Sequence, residues 1–202
     1  MVKISSFSAL RPKPDLADRL ASRPYDVLNS QEARAEAAQN PYSFLHITKA
    51  EIDLSPETDS HSQVVYDKAK ANLEQFIRQG FLLREEKACL YIYRLTMSGK
   101  EQTGLVCCSA IDDYEKGRIK KHELTRPDKE QDRIQHILTT GAQTGNVFLA
   151  YRNVQEIDQL IDGWKNSHAP LYNFLSADGV GHTIWKIDDP TSLAQLTKLF
   201  AE

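Results

Sequence analysis

The chain has 202 residues, of which 41% are hydrophobic and 26% charged, with a formal net charge of −3. That length suffices for a sizeable apolar core, and the acidic balance excludes a global basic field for gathering nucleic acid. Any anion has to be held by a local site.

The opening "MVKISSFSAL" is too short and polar for a secretory signal, and no run reaches transmembrane length. A cytoplasmic chain with no membrane or nucleic-acid partner is expected. "VKISSFSAL" reads as a short strand that "RPKP" interrupts. "SRPYDVLNS" is extended around Pro24, because a residue before proline is pushed out of the helical region. Ser30 is placed as the cap of a helix over "QEARAEAAQ" that ends at Asn40-Pro41. "YSFLHIT" reads as a strand, and "EIDLSPETDS" as an acidic loop. Val65, Ala69, Leu73, Phe76 and Ile77 recur at helical spacing in "SQVVYDKAKANLEQFIRQG", with Gly80 as the stop.

"ACLYIYRLT" and "TGLVCCSAI" are the two clearest strands. The Gly-bearing link "MSGKEQ" between them predicts an antiparallel hairpin, and their apolar content predicts a sheet buried on both faces. Cys89, Cys107 and Cys108 fall in or beside these runs. Adjacent residues on a strand point to opposite faces, so buried structural thiols are expected rather than a metal site or disulfides. "NVFLAYR" reads as a strand and "VQEIDQLIDGWKNS" as an amphipathic helix. "LYNFLSADGVGHTIWKI" reads as two strands around a turn, and "PTSLAQLTKLFAE" as a closing helix. The expected fold is α/β or α+β, a mixed sheet with a central antiparallel hairpin and flanking helices. It is read as one domain over residues 1–202, with a weak boundary signal near residue 115.

One segment concentrates chemistry. "RIKKHELTRPDKEQDR" lies within residues 116–133, which carry seven Lys or Arg against four Asp or Glu. Pro127 suits a first helical turn, and Thr125 with Asp128 three residues on resembles a capping box. Ile134, Ile137 and Leu138 then form an apolar stripe expected to face the core, with Gly141 at the exit. A helix N-terminus attracts anions. Lys120, Lys121, Thr125, Arg126, Lys129 and Arg133 are therefore candidate phosphate-binding residues. Glu123 is a candidate base, and His122 its orienter or a proton carrier. The competing reading is a solvated, ion-paired helix flank. "HELTR" lacks the second His of a zinc-protease helix, so no metal is expected there. His46 and His136 are read as structural, and "ADGVGH" as a hairpin turn without dinucleotide-binding spacing.

The ordered runs "FSALRP", "RPYDVLNSQEAR", "NPYSFLHITKAEIDL", "CLYIYRL", "KKHELTRPDKEQDR", "TGNVFLAY" and "DGVGHTIWKID" resemble the N-terminal half of the bacterial and archaeal domain-of-unknown-function family 1015. The Lys-His-Glu-x-Thr-Arg-x-x-Lys-Glu-x-Asp-Arg string falls on Lys121, His122, Glu123, Thr125, Arg126, Lys129, Glu130, Asp132 and Arg133. Members are usually about twice as long, and their second half carries an Asp-Gly-His-His-Arg string, similar to one in ParB-like proteins and free-serine kinases, that is absent here. Arg23 also stands where a small residue or Pro is expected. The resemblance implies a phosphate- or nucleotide-handling half-site of a phosphotransferase-like enzyme, incomplete in a shortened chain. A nucleotide with magnesium would then need the missing half. The alternative is a non-catalytic binding or assembly module whose charged segment docks a partner domain. A homodimer through the surface that the absent half would cover is a further expectation, and a small anionic ligand is the expected partner of the first reading.

Overall fold

The computed structural model describes residues 2–201. In chain order the elements begin with β1 (Ile4–Ser5), β2 (Leu10–Pro12), α1 (Ala17–Leu20), α2 (Ser30–Ala37), α3 (Leu45–Thr48) and α4 (Gln63–Arg78). Next come β3 (Leu82–Arg84), β4 (Leu90–Met97), β5 (Lys100–Val106), β6 (Cys108–Ser109) and α5 (Ile111–Glu115). The last are α6 (Pro127–Thr140), α7 (Gln155–Ser167), β7 (Tyr172–Leu175), β8 (Gly181–Ile187) and α8 (Pro190–Ala201). This is a mixed α/β fold with antiparallel sheets. No helix among the described residues is long and apolar enough to cross a membrane. The chain divides into two compact units. One combines the segment ending at Pro14, Arg84–His122 and the chain from Ala150 onward, and the other combines Asp15–Leu83 and Glu123–Leu149.

The first unit is built on a four-stranded antiparallel sheet in the order β5-β4-β8-β7. Strand alternation sorts its side chains. Leu90 and Ile92 of β4 share a face with Trp185 and Ile187 of β8, and these pack with Ile157 and Ile161 of α7 and Leu196 of α8. On the opposite face Tyr91 is buried with Ala9 and Cys89. The β4–β5 hairpin forms as the sequence predicts, with Tyr91 opposite Val106 and Met97 opposite Lys100. Two expectations change. "TGLVCCSAI" does not continue as one strand: it splits into the end of β5 and a separate β6 that pairs with β1. β5 is also an edge strand, exposed from Lys100 to Gly104, so the sheet is not covered on both faces along its length. The three cysteines form no disulfide, and Cys108 is exposed rather than buried.

The second unit is helical among its described residues, apart from the Leu82–Leu83 end of β3. α4 turns Val65, Ala69, Leu73 and Phe76 inward, as the spacing requires, while Ile77 is exposed. It ends in a Schellman arrangement, with Gly80 at φ 71°, Gly80 N–H donating to Ile77 and Phe81 N–H donating to Phe76. α2 starts one residue earlier than the Ser30 cap implies. Asn29 is the cap, in a reciprocal capping box with Glu32.

"YSFLHIT" is not a strand. Leu45 and Ile47 are fully buried, and the backbone closes on itself through Ile47 and Thr48 N–H to the Phe44 carbonyl and Lys49 N–H to that of Leu45. β propensity yields here to a local helical turn that satisfies its own polar groups. "NVFLAYR" has no strand partner either. It is irregular and exposed throughout residues 146–152.

The β4–β5 loop gives a test. Its two residues, Ser98 and Gly99, both have positive φ, 50° and 75°, the pattern of a type I′ turn. Ser98 carries a side-chain penalty there that glycine lacks. Ser98→Gly is expected to raise stability by about 0.5–1 kcal/mol in urea unfolding, and a loss of stability would contradict this turn geometry.

Candidate functional site

α6 begins at Pro127 with Arg126 as its N-cap, and no side chain caps it, so the Thr125–Asp128 box is not formed. Proline at the first position supplies the helical φ and lacks only an N–H that would be orphaned anyway. Asp128 is bonded instead by Arg126, Nε to Oδ1 at 3.1 Å and Nη2 to Oδ2 at 2.6 Å. The Arg126 guanidinium and the first-turn amides hold the Asp128 carboxyl below its ordinary range. A carboxylate from within the helix thus already meets the positive end.

The candidate residues fall in both units. Lys120, Lys121 and His122 belong to the first, where the Lys121 ammonium lies 4.9 Å over the Tyr114 ring. Glu123, Thr125, Arg126, Lys129 and Arg133 belong to the second. Every residue from Lys120 to Gln131 is exposed.

Past that point the helix turns the opposite side inward from the one its apolar pattern predicts. Ile134 is 41% exposed and Leu138 72%, whereas Asp132 and His136 are buried. Residues two apart on a helix sit about 200° apart, so choosing 132 and 136 for the interior puts 134 and 138 outside. Hydrogen bonds decide the choice. Asp132 Oδ1 accepts from the Tyr66 hydroxyl of α4 at 2.9 Å and from His61 Nδ1 at 3.0 Å. Its Oδ2 accepts from Arg133 Nε at 2.9 Å and Nη2 at 2.5 Å. Arg133 also lies 4.1 Å over the Tyr25 ring, a cation–π contact. One turn on, His136 Nε2 donates to the Ile47 carbonyl at 3.0 Å.

The electrostatics follow from this arrangement. Burial alone would push the Asp132 carboxyl up, but its bonds to Arg133, His61 and Tyr66 outweigh that and hold it low. The Tyr66 hydroxyl is pushed up to about 12 by burial and by the bond to that carboxylate. An ionised carboxylate can only accept, so His61 Nδ1 must carry the proton, which leaves a lone pair on Nε2 when the ring is neutral. The His61 side chain is 54% exposed. The arrangement can hold a cation beside an imidazole whose tautomer is fixed.

The model of the family described as protein of unknown function (DUF1015) matches residues 4–202. The chain belongs to that family. No curated protein and no solved structure matches it. Within the DUF1015 string, Asp132 and Arg133 enter the buried array, whereas the residues before them are exposed. Sequence reasoning missed His61, Tyr66 and Tyr25, which lie far from the string in the chain. One signal was available. Tyr66 directly follows Val65 at the edge of the inward stripe of α4, and a buried tyrosine hydroxyl calls for a partner.

Of the two histidines read as structural, His46 uses both ring nitrogens, bonding Asp53 at 2.7 Å and the Asn40 carbonyl at 3.1 Å. His136 does not, because its buried Nδ1 has no hydrogen-bond partner. Burial lowers the His136 pKa, so the unfolded chain takes up a proton near pH 6.5 while the folded form resists until its own lower value. Its contribution to stability is lost as pH falls. His46, raised by Asp53, works the other way and loses its contribution as pH rises through its folded value. A His136→Gln variant, which keeps a donor for Ile47, should lose less stability than the parent between about pH 7 and pH 5. Parallel stability curves for the two would contradict a neutral buried His136.

Proposed function

We propose that this chain handles a small phosphate-bearing anion around the Asp132–Arg133 end of the string, as the half-site of a phosphotransferase-like enzyme. The observation that supports this reading is the joint attachment of His61 and Arg133 to one buried carboxylate. Phosphoryl transfer depends on positioning and charge stabilisation more than on covalent work by the protein. Arg133 is a cation held by Asp132 and Tyr25, with 27% of its side chain exposed. Two of its five donors are used on Asp132 Oδ2. Lys129, four residues earlier on the same helix, adds an exposed charge. Arg126 spends two of its five donors, Nε and Nη2, on Asp128, which offsets part of its charge.

A second reading, the non-catalytic assembly module, is favoured by a different observation. Ile134 and Leu138 face outward on α6, and Val147 and Phe148 are 75% and 76% exposed in the same unit. A contiguous exposed apolar patch marks a surface that a partner covers, and these side chains are candidates for one. In this reading the occupant is a partner domain.

Titration with inorganic tripolyphosphate, followed by calorimetry at low and moderate salt, separates the two. The phosphate reading expects salt-dependent binding that Arg133→Gln weakens by roughly 1–3 kcal/mol, the range for a charge-assisted hydrogen bond. No binding, or binding indifferent to Arg133, would leave the assembly reading.

A further inference from the structure

We propose that His61 Nε2 is the nucleophile of this site, accepting a phosphoryl group from a phosphate-anhydride donor. This deepens the phosphate-handling reading and rests on it.

His61 is fixed twice over. Its backbone N–H donates to Asp59 Oδ1 at 3.0 Å, which sets the turn into α4, and its Nδ1 donates to Asp132. With Nδ1 turned onto the carboxylate, Nε2 lies on the far edge of a ring that is half exposed. Four of the other five histidines are placed differently. Both nitrogens of His46 are engaged, as are those of His182, which meet the Tyr93 hydroxyl at 2.6 Å and Ser176 Oγ at 3.1 Å. His136 is buried. His168 is exposed, but its Nδ1 meets the Trp164 carbonyl and Ser167 Oγ rather than a carboxylate, and its ring stacks on Trp164 at 3.8 Å.

The charge balance of the step explains why the carboxylate matters. As the Nε2 lone pair forms the N–P bond, the terminal P–O bond of the donor breaks, and the bridging oxygen leaves with its electron pair as the shorter phosphate. The ring becomes a phosphorylated imidazolium. Its Nδ1 proton stays in the hydrogen bond to Asp132, whose negative charge is already in place to offset the positive charge that develops. Tyr66 and Arg133 hold that carboxylate still and ionised during the attack. Hydrolysis, or attack by an acceptor hydroxyl on phosphorus, restores the neutral ring.

Potassium phosphoramidate tests this without knowledge of the natural donor, since its P–N bond breaks and ammonia leaves. The full chain is incubated with phosphoramidate at neutral pH and mapped by mass spectrometry under mildly alkaline conditions, with phosphorus-31 NMR to identify phosphohistidine. Label is expected on His61 about tenfold faster than on the exposed His168, and to vanish in His61→Gln. Asp132→Asn, which keeps an acceptor but removes the charge, should slow His61 labelling by about tenfold or more. Equal rates at His61 and His168 would overturn the proposal, as would a folded Asp132→Asn chain that labels at the parent rate. Should Asp132→Asn not fold, the comparison of His61 with His168 in the parent chain decides alone. Tripolyphosphate binding without preferential His61 labelling leaves the phosphate-handling reading standing and removes this one. Neither tripolyphosphate binding nor preferential His61 labelling removes the phosphate-handling reading and this proposal with it.

Discussion

The Asp132 side chain is only 8% exposed, and burying a carboxylate costs several kcal/mol unless donors meet it. Four do: the Tyr66 hydroxyl, His61 Nδ1, and Nε and Nη2 of Arg133. Those bonds join α6 to α4 and to the turn that precedes it, so one charge fixes the rotation of a whole helix. The outward placement of Ile134 and Leu138 follows from that rotation and not from their own preference. Removing one partner leaves the others to satisfy a charge in a poorly solvated place, which is why such arrays tolerate substitution less well than their exposed neighbours do.

The sheet unit was largely legible in the sequence, because a strand with alternating or continuous apolar residues states its own period. β4, β7, β8, α7 and α8 lie where the pattern puts them, whereas β5 starts at Lys100, inside the predicted link, and ends at Val106. The helical unit was less so. "YSFLHIT" carries strand-forming residues yet closes into a helical turn, since its two buried side chains, Leu45 and Ile47, can be covered that way while the backbone bonds locally. On α6 the start at Pro127 and the exit at Gly141, φ 66°, were both readable from local stereochemistry. The buried face was not, because its partners, His61 and Tyr66, are 71 and 66 residues away in the chain. Hydrophobic periodicity identifies the face that could be buried, and a hydrogen-bonded carboxylate can overrule it.

The same division runs through the family string. Its cationic head, from Lys120 through Lys129, is exposed and partly self-neutralised, as the Arg126–Asp128 pair shows. Its tail, Asp132 and Arg133, is where local chemistry becomes constrained. An exposed charge run can change with little structural consequence, whereas a buried carboxylate that holds both a histidine and an arginine restricts what can stand around it. On our reading the tail carries the site.

Asp132 fixes the tautomer of His61 and leaves the Nε2 lone pair available. Long-range nitrogen-15 NMR of the uniformly labelled chain, recorded where the imidazole is neutral, reads this directly. A protonated Nδ1 and an unprotonated Nε2 are expected for His61 in the parent chain, reverting toward a mixture when Asp132 is replaced. A His61 ring protonated on Nε2 in the parent chain, or averaging between tautomers as a free imidazole does, would contradict it.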